Sequence, residues 1–424
     1  MSIEQRFERV EKQIIKSNHP FYEMLDRFCY LSKNLYNHAL WEIKNAWETE
    51  KKSINYYALA SILPQDTEFP DYRNMPTAQS AQQTLKKVAE IYKAYFKTFK
   101  DWQKNPGKYQ GMPKPPKFLP KESGRFVLTL TNQEAKLKDD GYIHFPKTFN
   151  GFTIKPAFTS KSNVQSFQQV RFIPRNAHIV AELIYKVETV DIKEDNGRYL
   201  GIDMGIDNLA CVINNFGETP FTIDGHSLKS INQFWNKQNA KYRELAIERN
   251  GKHSTSRLLN MTDKRNNRVD DFLHKASKYI VDFAIKHDVS IIVIGKNDGW
   301  KQESDIGKRN NQNFTQIPHA RLISMITYKA NQVGIAVIEQ EESYTSKASF
   351  LDMDVIPTWK KDDTETKYTF SGKRTHRGLY VSSNGIEMNA DVNGAYNILR
   401  KCKPNAFAKG VEGVGLHPVR VTVD

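Results

Sequence analysis

The sequence predicts a multidomain α/β protein: a small antiparallel β unit or barrel interrupted by a helical insertion, followed by a domain in which strands and helices alternate. Three observations carry this. At 424 residues the chain has room for two or three domains of about 150 residues each. Five short strand-like runs, "RFVLTLTN", "YIHFPK", "FTIKPAF", "VQSFQQVRFIPR" and "HIVAELIYKVE", follow one another with turn residues between them. From Tyr199 the pattern becomes strand, strand, long helical stretch, strand, helix, strand, helix.

The helical insertion comes first in the chain. Apolar and aromatic residues recur at helical spacing through "FYEMLDRFCYLSKNLYNHALWEI", and after a polar, proline-containing break a second helix starts near "MPTAQSAQQTLKK", with Pro76 in its first turn, and runs towards Trp102. Between Thr84 and Phe118 nine lysines face only Glu90 and Asp101. Aromatics at three-to-four spacing put one helix face in the core and the lysines on the other. That basic face reads either as a phosphate-binding surface or as a merely solvated one. "KNPGKYQGMPKPPKF" closes the region as a Pro/Gly/Lys loop. The boundary to the second domain falls near Asp195, and the stretch after Pro404 lacks periodicity and is expected to be disordered.

With 62 Lys+Arg against 48 Asp+Glu the formal charge is +14, which favours a polyanionic partner, nucleic acid before membrane surface. Cys29, Cys211 and Cys402 are too scattered for a disulfide framework or a cysteine zinc site. "MSIEQRFERVEK" carries charges where a signal peptide needs an apolar core, and no apolar run approaches the ~18 residues of a membrane span. A cytosolic protein is expected.

Two stretches carry acids where chemistry is plausible. "YLGIDMGIDNLACVINNFG" puts Asp203 in an apolar strand, a costly site for a carboxylate without compensating partners. "MNADVNGAYNILRK" sets Asp391 just before a helix, as an N-cap or, taken with Asp203, as a metal ligand. "IIVIGKNDGWK", from Ile291 to Lys301, reads as a strand buried on both faces and ending on Gly295.

In these motifs the C-terminal half resembles the RuvC-like nuclease domain of TnpB proteins, transposon-encoded RNA-guided endonucleases related to type V CRISPR effectors. The matching stretches are "GIDMGIDNLA", "RNNRVDDFLHKASKYIV", "GKRNNQNFTQIP", "YTSK" and "NADVNGAYNI". "LSKNLYNHAL" and "AQSAQQTLKKVAEIYKAYF" resemble the family's recognition helices, and "VRFIPRNAHIVAELIYKVE" the strand pair of its wedge barrel. The resemblance implies a wedge β-barrel from residues 1–19 and 119–195, a helical recognition domain at 20–118, an RNase H-like (RuvC-like) mixed sheet with helices at 196–343 and 388–403, a target nucleic-acid-binding insertion at 344–387, and a tail at 404–424. It implies two Mg²⁺ ions held by three carboxylates, a guide RNA from the transposon end, double- and single-stranded DNA as target, and a monomer. Asp203 and Asp391 fill the first and third acidic places. The second does not fit, because the strand that usually ends in glutamate ends here in Gly295.

The following strand, "GIAVIEQEESYTSK", ends in Glu339, Glu341 and Glu342. In a parallel sheet its end faces the same crevice, and a glycine next door leaves room for a longer acid to cross. The expected catalytic set is therefore Asp203, Glu341 or Glu342, and Asp391, with Glu341 preferred as the metal ligand beside Asp203 and Asp391. A solvated loop start is the plainer reading of the same run. In the insertion, family members commonly hold zinc with two CxxC pairs; "YTSKASFLDMD" and "RGLYVSSNGIEMNAD" contain no cysteine, and zinc is not expected. By position in the pattern, Gln82 and Gln83 are candidates for reading a short adjacent DNA motif, and Lys86, Lys87, Lys93, Lys97, Arg268, Lys275, Lys301, Lys308, Arg309, Lys373, Arg374 and Arg377 for contacting nucleic acid. Three functions stay open: guided nuclease, guided binder acting as a repressor, and unguided RNase H-like nuclease.

Overall fold

The computed structural model describes residues 7–52, 54–160, 164–176, 178–188, 190–296, 316–359, 368–376, 378–408, 410 and 414–423. Lys301, Lys308, Arg309 and Arg377 lie outside the described residues. The chain divides into two compact units, Met1–Thr189 and Val190–Asp424.

In the first unit, β1 (Phe7–Lys16) precedes helices α1 (Tyr22–Glu50), α2 (Tyr56–Ile62) and α3 (Ala78–Lys104), which lead into β2 (Leu128–Thr131), β3 (Lys136–Leu137), β4 (Ile143–His144), β5 (Thr153–Ile154), β6 (Val164–Pro174) and β7 (His178–Val187). The strands form two antiparallel sheets, ordered β1-β7-β6-β2 and β3-β4-β5. Leu25, Cys29 and Leu40 of α1, Leu85, Val88 and Tyr92 of α3, and Phe172 and Leu183 of the larger sheet share one core. Helix α3 starts two residues after Pro76: Thr77 is the N-cap, and its hydroxyl and that of Ser80 form a reciprocal capping box. Helix α2 lies inside the stretch read as a polar break, where Asn55 caps it through the Ala58 amide.

The second unit holds a six-stranded sheet. Its strands are β8 (Tyr199–Met204), β9 (Asn208–Asn214), β10 (Phe221–Asp224), β11 (Ile291–Gly295), β12 (Ala336–Gln340) and β16 (Val419–Val421), in the order β12-β11-β8-β9-β10-β16. β8, β9 and β10 form an antiparallel meander; β11 runs parallel to β8, and β12 parallel to β11. The region after Pro404, expected to lack order, supplies β16, parallel to β10. Three residues are too few for a readable alternation, so pairing and not periodicity orders them. β13 (Lys373–His376), β14 (Leu379–Val381) and β15 (Glu387–Asn389) make a small antiparallel sheet.

Period-two alternation divides the large sheet between two cores. Leu200, Ile202, Ile292 and Ile294 join the side covered by α4 (His226–Asn250), α5 (Ser256–Lys286) and α6 (His319–Asn331). Ile213, Ile291 and Val293 join Ala395, Ile398 and Leu399 of α7 (Ala390–Cys402) on the other. A Cβ at Gly201 would lie 2.8 Å from the Ala395 carbonyl oxygen and 2.9 Å from Leu399 Cβ, so this glycine lets α7 lie directly on β8. That close contact carries the helix start to the C-terminal edge of the parallel strands.

Candidate functional site

Asp203 is on the α7 side of β8, one residue before the strand ends. A Cβ at Gly394 would come within 2.7 Å of Asp203 Oδ2, so a larger residue in that turn of α7 would displace the carboxylate. Asp391 sits in the first turn of the same helix. The capping reading of Asp391 does not hold, because Asn389 is the cap: its Oδ1 accepts from the Asp391 amide at 2.9 Å and from the Val392 amide at 3.2 Å. The Asp391 carboxylate is thereby available for another role, and its Oδ2 accepts from Asn208 Nδ2 at 2.7 Å.

Gly295 ends β11, buried, in register with Gln340. A Cβ there would lie 2.5 Å from Glu342 Oε2 and 2.5 Å from Ile398 Cδ1. Two residues beyond the end of β12, Glu342 thus reaches across and fills the space a side chain at 295 would need. Glu341, the acid the sequence prefers, has its carboxylate turned to other partners. Glu341 Oε2 is ion-paired with Lys401 at 2.5 Å, and its Oε1 accepts from the Ser343 amide at 2.6 Å. Strict alternation does not decide between the two acids because both lie past the strand, where the chain turns. Glu339 is ion-paired with Lys296.

Electrostatics separates the acids in the same way. Burial, then Glu342 and Asp391, pushes the Asp203 carboxyl well above the usual range, with Arg374 offsetting part of the rise. Burial and the neighbouring Glu341 push Glu342 up to about 7. Burial works against ionising Glu341 too, but Lys401 and Ser343 hold it below its ordinary value. Among the described residues no three His, Cys, Asp or Glu side chains stand close enough, as arranged, to hold one metal ion. The donor chemistry of Asp203, Glu342 and Asp391 nevertheless fits a hard dication: all three offer carboxylate oxygens, and their crowding is a cost that positive charge would relieve.

Gln82 is exposed and Gln83 part-buried on α3, while Lys86, Lys87, Lys93 and Lys97 are exposed along it. Tyr92 is in the core, with Tyr95 and Phe96 packed against it, as the aromatic spacing implies. Arg268 and Lys275 are exposed on α5, the latter paired with Asp271 at 3.0 Å, and Lys373 and Arg374 are exposed on β13.

Sequence reasoning missed two features. One is a run of buried polar residues on α7: Asn393 and Asn397 bond to the Ala348 carbonyl, and Arg400 to the Asp354 carbonyl. Their spacing of four and three along an otherwise apolar helix was a usable signal. The other lies at serines near the positions where the family resemblance would put zinc-binding cysteines that this chain lacks. Asp352 accepts from the Ser349 hydroxyl at 2.5 Å, the Ser383 hydroxyl at 2.5 Å and the Ser383 amide at 2.9 Å. Asp354 accepts from the Ser349 amide at 2.8 Å, the Ser371 amide at 3.0 Å and the Ser371 hydroxyl at 2.6 Å. Two carboxylates thus tie Ser349, Ser371 and Ser383 together by hydrogen bonds.

The second unit is an α/β domain with three acids at or just beyond the C-terminal edge of its parallel strands. Comparison with known proteins sharpens this. Residues 182–301 match the family model OrfB_IS605, described as a probable transposase, and residues 319–398 match the TNB domain of Cas12f1-like proteins. The CRISPR-associated endodeoxyribonuclease Cas12f1 of Sulfoacidibacillus thermotolerans is 26% identical over 263 residues, covering 58% of this chain and 56% of that protein, so the match spans just over half the relative's length. A Cas12f1 chain solved by cryo-EM in a complex with sgRNA and target DNA superposes with a TM-score of 0.52 at 14% identity, covering 89% of this chain and 82% of that one, which is a likeness of fold. The chain is TnpB-like, with an OrfB/IS605 segment followed by a Cas12f1-like TNB domain.

Proposed function

We propose that the chain is an RNA-guided DNA endonuclease of a transposon, cutting guide-complementary DNA next to a short adjacent motif. The observation that carries this is the Glu342 carboxylate in the space above Gly295, which supports reading Glu342 as the replacement for the acid missing from β11 in a three-carboxylate set with Asp203 and Asp391. A repressor without a working site would have no need to keep that replacement. Asp203, Glu342 and Asp391 would hold Mg²⁺, which when bound activates water and stabilises the leaving oxygen of a phosphodiester. Gly394 leaves room for the Asp203 carboxylate, Asn208 orients Asp391, and Arg374 offsets part of the negative charge.

In this reading residues 196–343 and 388–403 form an RuvC-like domain, supported by the sheet order and by α7 lying on β8. Residues 344–387 contact target nucleic acid through Lys373, Arg374 and Arg377. Residues 20–118 form a recognition domain, and 1–19 with 119–195 a wedge barrel. The exposed lysines of α3 meet backbone phosphates, while Gln82 and Gln83 read the adjacent motif, glutamine being able to bond adenine at two positions. Base pairing with a guide RNA reads the rest of the target.

The test is to sequence RNA that copurifies with the protein, reprogram its variable end, and assay cleavage by wild type and Asp203→Ala. A single structured RNA, guide-dependent cutting by wild type and none by the variant are expected. Cutting that ignores the guide would point to an unguided nuclease, and guided binding without any cutting to a repressor.

A further inference from the structure

The acid that fills the place above Gly295 belongs to a turn, and a turn at a sheet edge needs something to fix it. Lys401, near the end of α7, lies with its side chain 8% exposed beneath that turn. Its Nζ donates to Glu341 Oε2 at 2.5 Å, to the Ser343 carbonyl at 3.1 Å, to Ser343 Oγ at 3.3 Å and to the Pro357 carbonyl at 3.0 Å. The residues on both sides of Glu342 are therefore tied to one ammonium. Glu341 also closes on the Ser343 amide, and Ser343 Oγ accepts from the Trp359 amide at 2.9 Å, so the 341–343 segment has little freedom to rotate. A buried lysine is expensive unless every donor finds an acceptor, and this one is fully paired. The helix that carries it also carries Asp391 in its first turn, Gly394 against Asp203, and Ile398 against Gly295.

We propose that Lys401 is a positioning residue of the nuclease site: by gripping Glu341 and Ser343 it aims the intervening Glu342 carboxylate across Gly295 towards Asp203. Glu341 is then the lysine's counter-ion and not a ligand. The proposal rests on Glu342 being an acid of the site. The helix that carries Asp391 would then also lie against Asp203 and hold the turn of Glu342, which links the three places. A purely structural ion pair would stabilise the fold and leave the orientation of Glu342 unaffected, and this is what the experiment separates.

The full chain with its guide RNA is compared as wild type, Lys401→Met, Lys401→Arg, Glu341→Gln and Glu342→Gln. Mn²⁺ binding is followed by electron paramagnetic resonance, guided cleavage by gel, and folding by thermal melting. Lys401→Met should weaken Mn²⁺ binding and slow cutting by about 10- to 100-fold, the range usual for groups that orient metal ligands. Lys401→Arg should recover most of both, since a guanidinium can still grip Glu341. Glu341→Gln should lose several-fold, because its amide cannot accept from Lys401 and Ser343 together, and this variant decides the matter should Lys401→Met fail to fold. Wild-type Mn²⁺ affinity and cutting in Lys401→Met or, where that variant is unfolded, in Glu341→Gln would overturn the proposal, as would equal loss in the Met and Arg variants. Wild-type cutting by Glu342→Gln would instead remove the reading beneath it.

Discussion

Two groups of acids in the second unit use the same chemical group in opposite ways. At the sheet edge, burial together with Glu342 and Asp391 pushes Asp203 above the usual carboxylate range, and burial together with Glu341 does the same to Glu342. In the insertion, Asp352 is also penalised by burial, but hydroxyls of Ser349 and Ser383 and the Ser383 amide bring it below its ordinary value. An acid whose lone pairs are met by fixed donors is a structural fastener. An acid kept against burial and neighbouring negative charge carries a cost, which is the pattern expected of a functional site. Proximity of carboxylates alone would not distinguish the two; the direction in which each carboxyl is shifted does.

The strongest way to break the comparison is to neutralise one crowded acid. Glu342→Gln keeps the shape over Gly295 and removes the charge, so guided cutting should fall on the order of 10³-fold, several kcal/mol of transition-state stabilisation at about 1.4 kcal/mol per tenfold. Asp391→Ala should match it, while guided binding in both stays near wild type because affinity comes mainly from the basic surface. A cleavage assay beside a binding assay checks this, and strong residual cutting would dissolve the site.

A smaller effect comes from filling the gap itself. Gly295→Ala introduces a Cβ that overlaps both Glu342 Oε2 and Ile398 Cδ1, so either the acid or the helix must move. Overpacking of this kind costs about 1–3 kcal/mol, and cutting should fall roughly ten-fold as Glu342 is displaced. Gly295→Glu combined with Glu342→Ala returns a carboxylate from β11 and should recover part of the activity lost in Glu342→Ala alone. No difference between that double variant and the single one would show that the two places are not equivalent.

The crowding is also measurable without any substrate. Glu342 at about 7 stands above its usual ~4.3, so between those values the unfolded chain ionises while the folded one keeps its proton. Stability contributed by this group falls as pH rises through that window, and above about 7 the whole penalty is present. In protein stripped with EDTA, Glu342→Gln should raise the melting temperature at pH 8 by several °C, from at most about 4 kcal/mol, and leave it unchanged at pH 4. A lower melting temperature at pH 8 would reverse the sign and deny the crowding.

Much of the architecture could be read in advance, and the exceptions have physical causes. The apolar run Ile291–Ile294 was readable as a strand buried on both faces because it is short, wholly β-branched and closed by a glycine. Gly295 and the acids after β12 suggest a displaced ligand already in the sequence, because a glycine at a strand edge leaves a hole that a neighbouring side chain can enter, and Glu342 does lie over that glycine. The choice between Glu341 and Glu342 was not legible, since it depends on a turn fixed by Lys401, 60 residues away in sequence. Asn389 as the cap of α7 was in plain sight two residues before Asp391 and was passed over for the more familiar aspartate. β16 and the serine clasp depend on partners far along the chain, which no local pattern reports.

The smallest effect belongs to the satisfied acids, and it tests whether the clasp takes the place that zinc would have. Asp352→Asn puts an amide nitrogen where a carboxylate oxygen now accepts, so at least one of the bonds from Ser349 and Ser383 is lost. One net hydrogen bond in a part-exposed setting is worth about 1 kcal/mol. Amide exchange at Ser383 and Ser349 should therefore speed up about five-fold near neutral pH, with the rest of the chain unaffected. The sign follows from the depressed value of Asp352: its contribution is complete above the ordinary carboxylate range and is lost as pH falls below it, so wild type and variant should converge in strong acid. EDTA should leave the wild-type exchange pattern of 349–383 as it was, because hydrogen bonds and not metal hold the fastener. Stoichiometric zinc in the purified protein, or loss of protection there on chelation, would mean that other ligands hold the insertion and that the two serine-bound aspartates are incidental.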